Sequence, residues 1–104
     1  MLDAIDKCAS YTDGLAFARF CKEDMAVDAV LRNLEILGEA ARNVPASARR
    51  RHPGVPWSLL VGLRDVVIHQ YHGVDLENIW KIVREDLPAI RRPLRKALEE
   101  AKGN

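Results

Sequence analysis

Apolar residues recur along the chain at helical spacing, and no stretch alternates in the manner of a half-buried strand. The sharpest stripe is Val27, Val30, Leu31, Leu34, Leu37 and Ala41, an i, i+3, i+4, i+7 pattern that predicts a helix over residues 24–43. Pro45 ends it, because proline disfavours helical geometry in the residue before it. Gly38 interrupts the stripe at a cost of roughly 1 kcal/mol relative to alanine. A glycine kept in so regular a helix predicts close approach of a second helix at that point. Upstream, Leu2, Ile5 and Ala9 form a brief stripe with Asp3, Asp6 and Lys7 off it, which predicts a short first helix. Residues 12–24 contain Thr12, Asp13 and Gly14 and read as a connection, pinned to the core by Phe17 and Phe20.

Residues 47–56 are polar, with Arg49, Arg50, Arg51, His52 and nearby prolines, and read as a loop. Pro56 suits the first turn of a helix that carries Trp57, Leu60, Val61, Val67 and Ile68 to about residue 72. Gly73 is a natural stop and Asp75 a natural N-cap for the next helix. The last periodic segment, residues 76–102, presents Ile79, Trp80, Val83 and Leu87, then Ile90, Leu94 and Leu98. Pro88 is expected to break or kink it, with Asp86 capping a second piece. The expectation is a single all-α domain over residues 1–104, a four- or five-helix up-and-down bundle.

Composition sharpens this picture. With 104 residues and 48% hydrophobic positions, a core can form without staples. Sixteen Lys and Arg stand against 15 Asp and Glu, so bulk charge marks neither a disordered chain nor a strong polyanion binder. A nucleic-acid substrate stays open, because a local basic groove can exist at near-zero net charge. Cys8 and Cys21 are too few and too unpatterned for a disulfide framework or zinc site, and read as idle thiols. No apolar run approaches the roughly 20 residues of a membrane span. The start, Met-Leu-Asp-Ala-Ile-Asp, lacks the basic, then apolar, pattern of a signal peptide, so a soluble cytoplasmic protein is expected.

The candidate chemistry lies in residues 62–73, where Arg64, Asp65, His69, Gln70, Tyr71 and His72 punctuate an otherwise apolar helix. Arg64 falls on the stripe of Trp57, Leu60 and Ile68, and a guanidinium there needs a concentrated acceptor. Arg64 and Tyr71 share one helix face. Asp65 and His69, four residues apart, share another, so Asp65 can accept from the imidazole and fix its tautomer. Arg64 and His69 are five apart, roughly 140° around the wheel. They flank one surface, and a two-fold axis through it would pool two copies of each in a homodimer.

Arg64-x-x-x-x-His69-x-Tyr71 resembles the R-x(4)-H-x-Y motif of HEPN-domain toxins of the HepT-like family. The resemblance covers nearly the whole chain. Leu34-Glu35-Ile36-Leu37-Gly38-Glu39-Ala40-Ala41 looks like the family's second-helix signature, and Pro53-x-x-Pro56-Trp57 like the entry to its catalytic helix. Val74-Asp75-Leu76-x-x-Ile79-Trp80 and Asp86-Leu87-Pro88 resemble the family's stretch after that helix. The resemblance implies a HEPN-like homodimer that cleaves RNA at its interface without a metal or cofactor, paired with a minimal nucleotidyltransferase (MNT) antitoxin. In it a 2′-hydroxyl attacks the adjacent phosphate, His69 acts as general base or acid, and Arg64 stabilises the phosphorane. Asp65 matches a polar position that often comes directly after the arginine. Tyr71 either hydrogen-bonds the substrate phosphate or is the residue to which the antitoxin attaches AMP, a modification that would repel RNA.

Plainer readings stand beside these. Arg64 and His69 can be a polar network between helices, and Tyr71 an amphipathic core residue with a satisfied hydroxyl. His69 and His72 have metal-ligand spacing, but no cysteine or acidic residue completes a zinc site around them. His52 reads as an ordinary loop histidine. Arg49, Arg50 and Arg51 can grip phosphates, as can Arg91, Arg92, Arg95 and Lys96; either group can equally be a solvated face. Glu39 either pairs with an arginine of the catalytic helix or makes a plain surface salt bridge. The alternative function is a non-catalytic, nucleotide- or substrate-binding helical subunit of a nucleotidyltransferase.

Overall fold

A computed structural model describes the chain at residues 1–71 and 75–103, with side chains at 1–70 and 75–100. In chain order the elements are α1 (Leu2–Thr12), α2 (Phe17–Phe20), α3 (Asp24–Arg42), α4 (Ala46–Arg51), α5 (Trp57–Val61), α6 (Leu63–Tyr71) and α7 (Leu76–Lys81). A π-helical turn (Ile82–Asp86) then leads into α8 (Leu87–Gly103). The described residues contain no strand, and none of their helices is long and apolar enough to cross a membrane.

The expected stripe of α3 is the spine of the bundle. Val30, Leu31, Leu34, Leu37 and Ala41 are buried, and Val27 packs against them from the rim. One side of α3 meets α1, the other meets α5 and α6, and α8 lies along α1. The first helix is longer than its brief stripe suggested, and it buries Ala4, Ile5, Cys8 and Thr12 while Ala9 stays exposed. Thr12 can be buried because its hydroxyl donates to the Cys8 carbonyl at 2.9 Å. Gly14, at φ +74°, turns the chain where a side chain would be strained. Phe20, fully buried, and Phe17 then close on the Trp80 ring, at centroid distances of 5.1 and 5.9 Å. The thickness of the molecule is 17 Å against a length of 44 Å, little more than two helix layers.

Three expectations change. The polar stretch before Pro56 is not all loop, since residues 46–51 coil into α4. Arg49 holds that helix against the end of α3, donating from Nε to the Val44 carbonyl and from Nη2 to the Arg42 carbonyl, both at 2.9 Å. It thereby satisfies carbonyls that a helix end leaves orphaned. The helix expected over residues 57–72 is interrupted at Gly62, whose carbonyl accepts from both Asp65 (3.1 Å) and Val66 (3.2 Å). Leu63 and Val67 continue inward from Leu60, as i, i+3, i+7 neighbours do, while Arg64 and Ile68 face out. Finally, Pro88 does not end the last segment, although the α-helix gives way to a π turn just before it. The π turn widens the helix one turn earlier and takes up the proline, whose ring would otherwise press on the Arg84 carbonyl. Asp86 does not cap a new helix; its carboxylate pairs with Lys81 at 3.3 Å.

Other details agree with the sequence pattern. The Asp75 carboxylate caps α7, accepting from the Asn78 N–H at 3.0 Å. Gly73 lies outside the described residues. Burial pushes the Cys8 thiol up to about 12, so it stays a neutral, inert core group.

Gly38 nests in the α5–α6 break. A Cβ there would stand 3.2 Å from the Arg64 nitrogen, 3.3 Å from the Leu60 carbonyl oxygen and 3.3 Å from the Leu63 Cβ. Two of these neighbours are backbone atoms that cannot swing aside. The overlap therefore outweighs the roughly 1 kcal/mol of helix propensity that alanine gains. We expect Gly38→Ala to destabilise the fold by about 1 kcal/mol net, seen as a melting temperature several degrees lower; an unchanged or higher value contradicts the close packing. A second prediction concerns α1 and α8. Arg91 grips Asp6 with two hydrogen bonds, 2.7 and 2.9 Å, and holds its carboxyl below the ordinary 3.8. A lowered carboxyl contributes stability above its unfolded value and loses it as pH falls through its folded one. The melting difference between wild type and Arg91→Gln should thus be present at neutral pH and vanish in acid below 3.8.

Candidate active site

Gly38 and the Gly62 turn together set where Arg64 emerges. Its backbone nitrogen is held against α3, and from there the side chain runs outward, 53% exposed, to meet Glu39 at 3.9 Å. The two sequence readings of Glu39 thus merge, since its partner is the arginine of the candidate catalytic helix and the pair is also a surface one. Glu39 is itself 55% exposed. An ion pair so wet is worth roughly 0–1 kcal/mol, too little to lock the guanidinium away from a better acceptor.

Two clefts meet at Arg64. The first, about 610 Å³, runs along α3 and is lined by Arg32, Glu35, Ile36, Glu39 and Asn43. The second, about 480 Å³, is floored by Trp57, Ser58 and Gly62 and rimmed by Arg42, Arg49 and Asp65. Arg64 is thus the wall between an α3 groove and a basic hollow at the α5–α6 break. The hollow carries three guanidiniums against one carboxylate, although Arg49 already spends its own on backbone carbonyls.

The remaining expected groups divide. Asp65 and His69 are both exposed on α6, but no hydrogen bond or ion pair joins them among the described residues. The expected carboxylate–imidazole couple is therefore not formed, because both side chains point into water, where neither gains by leaving it. Gln70 turns to the chain, its Oε1 accepting from the Asp75 N–H at 2.9 Å. The side chain of Tyr71 and the whole of His72 lie outside the described residues, so the metal-ligand pairing of His69 and His72 is not described. Of the three successive arginines, Arg49 is structural, while Arg50 and Arg51 carry no such backbone bonds. His52 is more than an ordinary loop histidine. It faces Glu100 of α8 at 3.4 Å, while the Trp57 indole donates to its carbonyl at 3.0 Å.

Apart from Glu39, the sequence reading missed the α3 side of the site. Ile36, 42% exposed, lines the α3 groove with Arg64, and Ile68, 46% exposed, lies one turn along α6 from Arg64. The signal for Ile36 was present, since it stands off the stripe of Val30, Leu34, Leu37 and Ala41 that fills the core.

Residues 1–97 match the family described as Ribonuclease HepT-like. The chain belongs to the HepT-like ribonuclease family. Among its relatives, the "Probable ribonuclease HepT" of Thermococcus cleftensis is 39% identical over 89 residues, which is 86% of this chain and 81% of that one. A protein of Methanocaldococcus jannaschii, named as a putative RNase, is 39% identical over 92 residues, 88% of this chain and 84% of its own length. Another so named, from Caldanaerobacter subterraneus subsp. tengcongensis, is 36% identical over 89 residues, 86% and 80% of the two chains. No solved structure matches. HepT-like membership thus spans α1 to most of α8 and takes in both clefts and the Arg64/His69 helix.

Proposed function

We propose that this HepT-like chain is a cytoplasmic RNA endonuclease toxin, active as a homodimer and needing no metal. Arg64 and His69 carry the reaction, and Tyr71 is where a nucleotidyltransferase antitoxin attaches AMP. The observation that carries the reading is the position of Arg64. A permanently charged guanidinium stands at the junction of two clefts, tied among the described residues by a weak, exposed ion pair, with the exposed Ile36 in the same groove and the exposed Ile68 one helical turn away. Exposed isoleucines beside Arg64 suit burial against a second copy, which would bring two Arg64 and two His69 around one groove.

In that groove one His69 takes the proton from a ribose 2′-hydroxyl as its oxygen attacks the adjacent phosphorus. Arg64 leaves Glu39 for the phosphate, whose equatorial oxygens gain charge in the phosphorane and accept both guanidinium hydrogen bonds. The other His69 donates a proton to the departing 5′-oxygen, leaving a 2′,3′-cyclic phosphate and a free 5′-hydroxyl. Asp65 stays available to orient an imidazole once the site closes. Arg50 and Arg51 lend phosphate contacts from α4, and Arg49 braces that helix. An AMP on Tyr71 adds a negative phosphodiester to the same helix and repels the substrate.

Cleavage of RNA by the purified protein in the presence of a chelator is the test. His69→Ala should lower the rate at least about 100-fold, the lower range for a general acid–base group, and Arg64→Ala by a similar factor. Both variants should melt like the wild type, because the two side chains are exposed. Full activity in His69→Ala, or activity only when a divalent ion is supplied, contradicts the reading. The intact mass of protein co-expressed with a neighbouring nucleotidyltransferase should rise by whole AMP increments, and Tyr71→Phe should remove them.

A further inference from the structure

Two runs of positive charge lie far apart in the sequence, one on α4 and one on α8, and the fold brings them together. Arg51, His52, Pro53 and Val55 form one wall of a cleft of about 350 Å³, and Pro93, Lys96 and Glu100 form the other. On the far side of Pro93 and Lys96 lies a second hollow, about 440 Å³, lined also by Arg92, Arg95 and Glu99. Pro93 and Lys96 belong to both, so the hollows adjoin on α8 as a furrow divided by those two side chains.

Not every group there is available. Arg95 is paired with Glu99 at 3.1 Å, and Glu100 lies 3.4 Å from the His52 Nδ1. Arg91, nearby, is committed to Asp6. Arg51, Arg92 and Lys96 are left without a carboxylate partner among the described residues, and Arg51 and Lys96 face one another across the first hollow. Arg92 and Lys96 stand one turn apart on α8, about 6 Å along its axis. The helix that supplies Arg51 also supplies Arg49, which rims the basic hollow at Arg64. Helix α4 therefore has one arginine at each of two depressions, Arg49 at the hollow beside Arg64 and Arg51 at the first hollow of the furrow.

We propose that this furrow is an exosite for RNA, in which Arg51, Lys96 and Arg92 hold backbone phosphates of the same substrate strand away from the scissile bond. The inference rests on the ribonuclease reading and extends it to a part of the chain outside the R-x(4)-H-x-Y motif. Phosphate recognition suits the furrow better than a protein partner does. The large exposed hydrophobic side chains of the described residues are Tyr11, Met25, Ile36 and Ile68, and none lines it. A protein dock buries an apolar centre, whereas a nucleic-acid track needs spaced cations and little else.

The experiment measures binding of a labelled single-stranded RNA of about 20 nucleotides to His69→Ala protein, which cuts it at least about 100-fold more slowly, across a salt series. Adding Arg51→Gln, Arg92→Gln and Lys96→Gln should weaken binding at least roughly tenfold. The slope of log affinity against log salt should flatten by about 2, at roughly 0.7 for each phosphate that is no longer neutralised. Lys22→Gln, which lies outside both hollows, should leave the slope unchanged. Circular dichroism confirms that the substitutions keep the fold, and the three single variants should each flatten the slope by about a third as much. If wild type cuts RNA but the triple variant binds with the same affinity and slope, the exosite is wrong while the ribonuclease reading survives. If the triple variant handles RNA normally yet no longer binds the nucleotidyltransferase, the furrow is a protein dock and the proposal is overturned. If wild type neither binds nor cuts RNA, both readings fall together.

Discussion

The contact on which the rest depends is that of Gly38 with the broken helix opposite. In an unbroken helix the Leu60 carbonyl and the Arg64 N–H would pair, being four residues apart. Here Gly62 intervenes, no such bond is formed, and both atoms instead lie just over 3 Å from where a Cβ on Gly38 would be. The absence of one methyl group lets α3 and α6 approach until backbone meets side-chain base. That approach does two things at once. It buries Leu60, Leu63 and Val67 against α3, and it lets Arg64 emerge at the edge of the seam, level with Glu39.

Energetics decide what such an edge can do. The core of the chain is apolar and closed, and the described side chains leave no buried polar atom without a partner. The polar groups of α6 lie at the surface, held by little. An exposed ion pair is worth at most about 1 kcal/mol, while a phosphate offers a guanidinium shorter, charge-assisted and bidentate bonds. A weakly held arginine between two clefts is thus poised for an incoming anion. The same logic separates Arg49, whose two hydrogen bonds to carbonyls finish α3, from Arg51, Arg92 and Lys96, which finish nothing.

Much of this was legible in the residues. The stripe of α3, the meaning of Gly38, the capping role of Asp75 and the anchoring by Phe17 and Phe20 all come from periodicity and local chemistry. Three features did not. Residues 46–51 form a helix because Arg49 ties it to α3, an event across the turn that no local pattern announces. Pro88 was expected to break or kink the last segment; the chain stays helical through it, the irregularity is a single π turn just before it, and the sequence carries no mark of that turn. The stripe shared by Arg64 and Ile68 was read as inward because it runs in register with Leu60. Periodicity shows that a face is apolar; it does not say whether the chain's own core or a second chain covers it.

The central claim is that two chains meet over that face, each bringing Arg64 and His69 to a shared groove. Sedimentation of the wild type against Ile68→Glu, combined with an RNA cleavage assay on the same samples, tests it most directly. Ile68 is exposed, so the charge leaves the single chain folded while burying it against a second copy is costly. The wild type should sediment at twice the mass of one chain and cut RNA; Ile68→Glu should sediment as a single folded chain and cut none. A wild-type monomer that cleaves RNA, or a monomeric variant that retains full activity, contradicts the shared groove.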